Sequence, residues 1–183
     1  MALSAPFPIT KKSFLRKILR DVTGITGFRR YSQALLSILS TGGDTTYSKM
    51  KGIWFKIHGF IITNTLIFTA ISISFHWSLY FLLWWLPAFT YYSLIIRIRN
   101  IAEHCVTSGS TDLDNTRTTL TNPIVRFMMA PHRVNYHLEH HLFMMCPWYN
   151  LPKAHTMMIE NGYKNKMCIE NSYRTVLMKA TNA

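Results

Sequence analysis

The longest apolar segment of the chain runs from Ile57 to Ile96 and contains no Lys, Arg, Asp or Glu. A helix that crosses a bilayer needs roughly 20 mostly apolar residues, so a segment of about forty predicts two spans. The turn-like residues at 75–78 place the break, which gives predicted helices from Gly59 to Phe75 and from Leu79 to Ile96, with a kink at Pro87. A buried hairpin of a soluble protein is the alternative, but neither helix has a polar stripe that would face water.

The segment at residues 11–22, KKSFLRKILRDV, repeats apolar and basic positions with the period of a helix. Its apolar residues fall on one face and its Lys and Arg residues lie largely elsewhere, as is typical of an interfacial helix in the headgroup region of a membrane. A surface helix packed on a protein core is the alternative. After this helix, glycines predict loops on both sides of the short apolar stretch Ala34 to Leu39, at Gly24, Gly27, Gly42 and Gly43.

The charged residues indicate an orientation for the predicted hairpin. The chain has 20 Lys and Arg against 8 Asp and Glu, a net charge of +12, and these basic residues flank the apolar segment on both sides while the turn at His76 has none. Because basic loops stay cytoplasmic, both flanks are expected on that side. The sequence therefore predicts an all-α, multi-pass integral membrane protein with a cytoplasmic region at 97–183. Its anionic partner is expected to be lipid or an acidic carrier rather than nucleic acid.

Two groups of polar residues in the cytoplasmic region have the spacing of a metal site. Asn100 and His104 lie four residues apart directly after the second predicted span, and His137, His140 and His141 follow in NYHLEHHLF. Residues at i, i+3 and i+4 share one face of a helix. Converging imidazoles are costly without a bound cation, because each ring needs a partner and one protonated ring penalises its neighbours. We therefore predict that His137, His140 and His141 are metal ligands, and the position of Asn100 and His104 just after a span, on the same predicted membrane face, supports this.

The identity of the metal is not decided by the histidines, since imidazole suits zinc, copper, iron and nickel. The zinc protease patterns HExxH and HxxEH are not met by HLEHH, and the Glu-x-x-His pattern of carboxylate di-iron bundles is absent as well. Glu103 and Glu139 are expected either to orient an adjacent imidazole or to be solvated charges. The remaining histidines are expected to be structural: His58, His76, His132 and His155.

These residues resemble the membrane fatty acid desaturase family, whose last histidine box, HxxHH, is matched by His137, His140 and His141. The family also has a metal-site Asn and His spaced NxxxH, which look like Asn100 and His104, so the resemblance implies that all five residues are metal ligands. The segments RNIAEH, NTRTT and PWYNLPKAH agree, and the resemblance runs from about Phe7 to His155. It implies an oxidoreductase of lipid metabolism that introduces a C=C bond into fatty acyl chains, with a di-iron cofactor and dioxygen as co-substrate. It implies a membrane lipid or acyl-carrier substrate and a ferredoxin or cytochrome b5-like electron donor, and no catalytic residues beyond the metal ligands.

The chain departs from this family in its histidine count. The family also has HxxxH and an earlier HxxHH box, whereas only His58 and His76 precede Asn100 here. A dinuclear site needs on the order of eight ligands. We therefore expect residues 1–183 to be the C-terminal part of a desaturase-like domain, inactive without a longer chain or a separate N-terminal half. The alternatives are a related alkyl or carotenoid hydroxylase or ketolase, and a non-catalytic membrane protein that binds metal.

Overall fold

The computed structural model describes residues 7–43, 45–107, 109 and 111–181. The chain is mostly helical, as the sequence predicts, and it divides into two compact units. The hairpin unit comprises Lys17–Leu94, and the C-terminal unit comprises Met1–Arg16 with Ile95–Ala183. The two ends of the predicted domain, 1–6 and 182–183, lie outside the described residues.

The hairpin unit is built from two long helical segments and one shorter helix. Helix α1 (Lys11–Val22) enters it and α6 (Tyr91–His104) leaves it, so both helices are shared with the C-terminal unit. The elements between them are α2 (Ile25–Leu39), α3 (Thr46–Ser74), α4 (Ser78–Tyr80), a π-helical turn (Phe81–Trp85) and α5 (Leu86–Phe89).

Helix α3 begins at Thr46 rather than at the predicted Gly59, so the basic segment before the apolar residues is helical too. Thr45 caps its first turn, because the side-chain hydroxyl accepts a hydrogen bond from the Ser48 amide at 3.1 Å. The helix ends at Ser74, and the break at 75–77 lies where the sequence predicts it. Both Thr46–Ser74 and Ser78–His104 are long and apolar enough to cross a membrane.

The second segment departs from regular α geometry around Pro87. The π-helical turn ends just before it, with the Leu86 amide donating to the Phe81 carbonyl, and Thr90 has non-helical dihedral angles three residues after it. Proline has no amide hydrogen to donate to the preceding turn, which favours such irregularities nearby. The predicted kink therefore takes the form of a widened turn before Pro87 and a break at Thr90.

A side-chain amide joins the two segments of the hairpin. Asn64 on α3 accepts hydrogen bonds through Oδ1 from the Tyr80 hydroxyl at 2.7 Å and from the Trp84 indole at 3.2 Å. Its Nδ2 donates to the Phe60 carbonyl at 2.8 Å. An amide in an apolar segment is costly unless both of its ends are bonded, and here both are.

The prediction of loops on both sides of Ala34 to Leu39 is confirmed at Gly24, which has a φ of 81° in the turn between α1 and α2, but it is wrong at Gly27, which lies inside α2. The α2 backbone crosses α5 at this glycine. A Cβ atom on Gly27 would lie 2.3 Å from the carbonyl oxygen of Phe89 and 2.5 Å from its Cα. Tyr31, one turn further along, places its ring edge-on to Trp85 and Phe89 at centroid distances of 5.5 and 5.1 Å. Close contact, rather than chain flexibility, therefore explains this glycine.

The C-terminal unit contains a short parallel strand pair, so the prediction of an all-α chain is wrong in this detail. Strand β1 pairs with β2, with Thr118 opposite Ile169 and Thr119 opposite Glu170. The other elements are short helices linked by 3-10 turns. In chain order the named elements after α6 are β1 (Thr118–Thr119), α7 (Pro123–Met129), α8 (His137–Leu142), α9 (Leu151–Glu160), β2 (Ile169–Glu170) and α10 (Tyr173–Ala180).

Two apolar clusters form the core of this unit. The first packs the end of α6, through Ile101 and Ala102, against α10, with Val176 fully buried between them. The second packs α8 against α9 through Leu138 and Met158, and Met167 completes it. The two helices that carry the predicted ligands are therefore each fixed to a different part of the core.

We predict that Gly27→Ala destabilises the hairpin unit by about 1–3 kcal/mol, because the new methyl group would overlap the Phe89 backbone. Gly59→Ala is the matched control, since a Cβ at Gly59 would meet no atom within 4 Å and alanine favours the helix. Thermal unfolding of both variants in detergent micelles measures the difference. Equal melting temperatures for the two variants would show that α2 does not approach Phe89.

Candidate metal centre

The predicted ligands lie on two helices of the C-terminal unit. Asn100 and His104 belong to the last turns of α6, and His137, His140 and His141 belong to α8. Helix α8 has only six residues. Because helices this short are not stable alone, its position depends on contacts with neighbouring elements.

Three imidazoles converge through the same ring nitrogen. The Nε2 atom of His137 lies 3.0 Å from Nε2 of His104 and 3.1 Å from Nε2 of His141. One ligand atom from each of the three rings lies within 4.8 Å of the other two. Imidazole nitrogens bind a metal at about 2.0–2.1 Å, so two nitrogens 3.0 Å apart can share one ion.

The structure does not place His140 with these three rings. Its side chain is exposed, and its ring centroid lies 6.0 Å from that of His137 and 5.9 Å from that of His141. Asn100 is partly buried one turn before His104, and its main-chain carbonyl accepts a weak hydrogen bond from the Cys105 thiol. The ligand set of five residues therefore remains a prediction, with three of its members brought together.

Two rings of the cluster have pKa values below the ordinary value of a histidine. Burial, followed by the neighbouring rings of His104, His141 and His140, lowers the pKa of His137 to about 3. Burial followed by His104 and His140 lowers the pKa of His141 as well. Neutral imidazoles keep the lone pair that a metal needs, so no proton has to be displaced from these two rings at pH 7.

A buried carboxylate lies beside the cluster. Glu103 is 6% exposed, accepts a hydrogen bond from Arg99 Nε at 3.1 Å, and places Oε2 4.0 Å from Nδ1 of His137. Its negative charge thus faces the nitrogen of His137 that points away from the cluster, which favours a proton there and leaves Nε2 free. Burial, followed by this carboxylate, raises the pKa of Tyr173 to about 12. The interpretation of Glu103 as a solvated charge is therefore wrong, because its side chain is buried.

Glu139 has a different role from the one expected. It is fully buried, and it accepts hydrogen bonds from the Thr118 hydroxyl and from His155 Nδ1, the latter at 2.5 Å. Both expected roles of Glu139 are therefore wrong: its carboxylate is not solvated, and it does not bond to a histidine of the box. His155 is structural, as predicted, but its partnership with Glu139 was missed. The sequence feature that could have indicated a polar partner for Glu139 is the run of polar residues from Thr116 to Thr119. The structure shows that all four of these residues are buried.

The donor set fits a divalent transition metal. All three converging atoms are imidazole nitrogens, which suit iron, zinc, copper and nickel. Cys105 follows His104 directly, but burial raises the pKa of its thiol, so it does not offer a thiolate at neutral pH. A nitrogen site without thiolate is compatible with iron.

The chain thus combines two helices of membrane-spanning length with a cluster of three histidines that could hold a metal ion. The family model described as Fatty acid desaturase matches residues 3–169, so the chain belongs to the fatty acid desaturase family. This is a membrane-bound oxidoreductase family that uses a di-iron centre and dioxygen. Searches of curated proteins and of solved structures found no significant match.

We predict that the metal-free protein loses stability as the pH falls from 6.5 towards 3, because of His137. The unfolded chain protonates this histidine near its ordinary pKa of 6.5, whereas the folded pKa is about 3, so acid favours the unfolded state within this window. Melting temperatures across this pH range test the effect. His137→Gln should flatten the profile and His132→Gln, outside the cluster, should not; an unchanged profile in His137→Gln would contradict the assignment.

Proposed function

We propose that this chain supplies part of the di-iron site of an oxygen-dependent fatty acyl desaturase. The observation that supports the proposal best is the convergence of His104, His137 and His141 through Nε2, in a chain of the fatty acid desaturase family. The membrane-length helices agree with an acyl chain as substrate, because such a substrate is dissolved in lipid.

In this reaction two adjacent methylene groups lose two hydrogens and become a C=C bond. Dioxygen takes up those hydrogens together with two electrons and two protons from an external donor, and leaves as two water molecules. Bound iron would supply the activation of dioxygen that attack on an unactivated C–H bond requires. The protein supplies position, a dry site and the correct protonation of the ligands.

The residues of this chain have distinct proposed tasks. His104, His137 and His141 hold the metal through Nε2, and Asn100 and His140 are proposed as further ligands from the same two helices. Glu103 holds the proton of His137 on Nδ1. Burial lowers the pKa values of His137 and His141, so these two rings offer a free lone pair to a cation at neutral pH.

The proposed ligands do not fill a dinuclear site. Two irons need on the order of eight protein ligands, and this chain has five candidates. We propose that the remaining histidines come from a longer chain or a separate polypeptide. By itself the chain is then expected to bind iron weakly and to turn over no substrate.

The charge of the chain suggests the proposed partners. A net charge of +12 attracts anionic lipid headgroups, an acyl carrier, or an acidic electron donor such as ferredoxin or a cytochrome b5-like protein. With basic flanks on both sides of the apolar segment, the metal site is proposed to face the cytoplasm.

We predict that His104→Ala and His137→Ala each weaken Fe²⁺ binding by at least about 10-fold, because each removes one of three converging nitrogens. His132→Ala is the control, as that ring lies against Trp148 and outside the cluster. Anaerobic titration of the purified full chain in detergent measures the affinity. Preferential binding of zinc, with no loss in His140→Ala, would argue for a non-catalytic metal-binding protein.

The reaction type is tested by product analysis after reconstitution with the polypeptide that supplies the remaining histidines, a reduced electron donor and a saturated acyl substrate under heavy-oxygen gas. We expect a new double bond and no labelled oxygen in the lipid. Labelled oxygen in the lipid product would instead identify a hydroxylase or ketolase that uses the same histidines.

A further inference from the structure

The end of α6 is held by a buried arginine from outside the helix. Arg117 is 2% exposed, and it donates from Nη1 to the Ala102 carbonyl at 3.1 Å and from Nη2 to the Val106 carbonyl at 2.8 Å. Its main-chain amide donates to the Glu103 carbonyl at 3.1 Å. The last carbonyls of a helix have no partner inside the helix, so this guanidinium caps the turn that carries His104.

The next residue holds α8. Thr118 is fully buried, and its hydroxyl donates to the buried carboxylate of Glu139 in the middle of the histidine box. Main-chain contacts of the following residue support this connection. The Thr119 amide donates to the Asn135 carbonyl at 2.9 Å, and Asn135 Nδ2 donates to the Thr119 carbonyl at 3.2 Å.

Glu139 fixes the rotation of α8. It lies two residues from both His137 and His141, and at about 100° per residue its side chain leaves the helix on the opposite face from theirs. On that face it is bonded to Thr118 on β1 and to His155 on α9. A rotation that broke these bonds would leave a charge buried without partners, which is strongly unfavourable.

We propose that the consecutive buried residues Arg117 and Thr118 set the separation between His104 and the pair His137 and His141. Arg117 binds one histidine helix and Thr118 binds the other, so two adjacent residues of one strand segment fix both helices. Arg117, Thr118 and Glu139 are positioning residues for the metal centre. The inference rests on the proposed function for the metal, whereas the bonds that carry it exist in the metal-free protein.

The chain offers closely matched variants for a test. Thr118→Val removes the hydroxyl that binds Glu139 and keeps the shape of the side chain, while Thr118→Ser keeps the donor. Thr119→Val is the control on the same strand, since Thr119 is equally buried and its hydroxyl has no hydrogen-bond partner among the described residues. Arg117→Lys retains the charge but cannot reach two carbonyls with a rigid fork.

The first measurement is the affinity of the full chain for Co²⁺ in detergent, followed by the visible absorption of the bound ion, which reports its coordination geometry. We expect Thr118→Val and Arg117→Lys to bind roughly 10- to 100-fold more weakly, with altered absorption, as when other residues that orient metal ligands are replaced. Thr118→Ser should stay close to the wild type and Thr119→Val should match it. Equal affinity for Thr118→Val and Thr119→Val would overturn the inference.

The second measurement is hydrogen exchange in the metal-free protein. The His140 and Phe143 amides bond to the Tyr136 and Glu139 carbonyls within and beside α8, so they report its order. Thr118→Val should speed their exchange and Thr119→Val should not. If the wild type fails to bind Co²⁺ at any concentration, the proposal that His104, His137 and His141 hold a metal fails, and exchange alone decides the positioning role. Unchanged exchange in Thr118→Val then rejects that role.

Discussion

The close approach of three imidazole nitrogens is the constraint on which the C-terminal unit depends. Nε2 of His137 lies about 3 Å from the same atom of His104 and of His141. Without a bound cation this arrangement offers little attraction of its own, so the surrounding structure must hold each ring. The buried carboxylate of Glu103, the capped end of α6 and the anchored face of α8 supply that support.

The hairpin unit meets a different constraint, which is to leave no polar group unpaired inside an apolar segment. Asn64 is bonded at both ends of its amide, and the irregular turns around Pro87 keep most main-chain groups paired. Gly27 lets the α2 backbone approach Phe89 closely, so packing replaces polar contact there. The helices of this unit pack mainly through apolar and aromatic side chains, whereas the C-terminal unit pairs buried charged and polar groups that lie far apart in the sequence.

That difference explains how much the sequence alone could predict. A long segment without charged residues predicts two membrane-length helices and the break between them. The spacing of His137 and His141 predicts that the two side chains lie on the same face of a helix. Neither α2 nor the partner of Glu139 has such a local signature. Glycine occurs both in loops and at helix crossings, so the sequence does not show which of the two Gly27 belongs to. Glu139 contacts Thr118 only because the fold brings together two residues that lie 21 positions apart in the sequence. His104 and His137 lie 33 positions apart, and no local pattern predicts that they meet. Their proximity follows from the sequence only if both are assumed to bind the same metal site.

The brevity of α8 links metal binding to folding by mass action. Six residues do not form a stable helix alone, so the order of the box depends on the apolar contacts of Leu138 and on the hydrogen bonds of Glu139 with Thr118 and His155. Any cation that binds the ordered rings and not the disordered ones shifts this equilibrium towards order, by an amount that grows with the logarithm of its concentration. Binding of a cation to the three rings would therefore also stabilise the contacts of α8 with β1 and α9, although neither of those elements carries a proposed ligand.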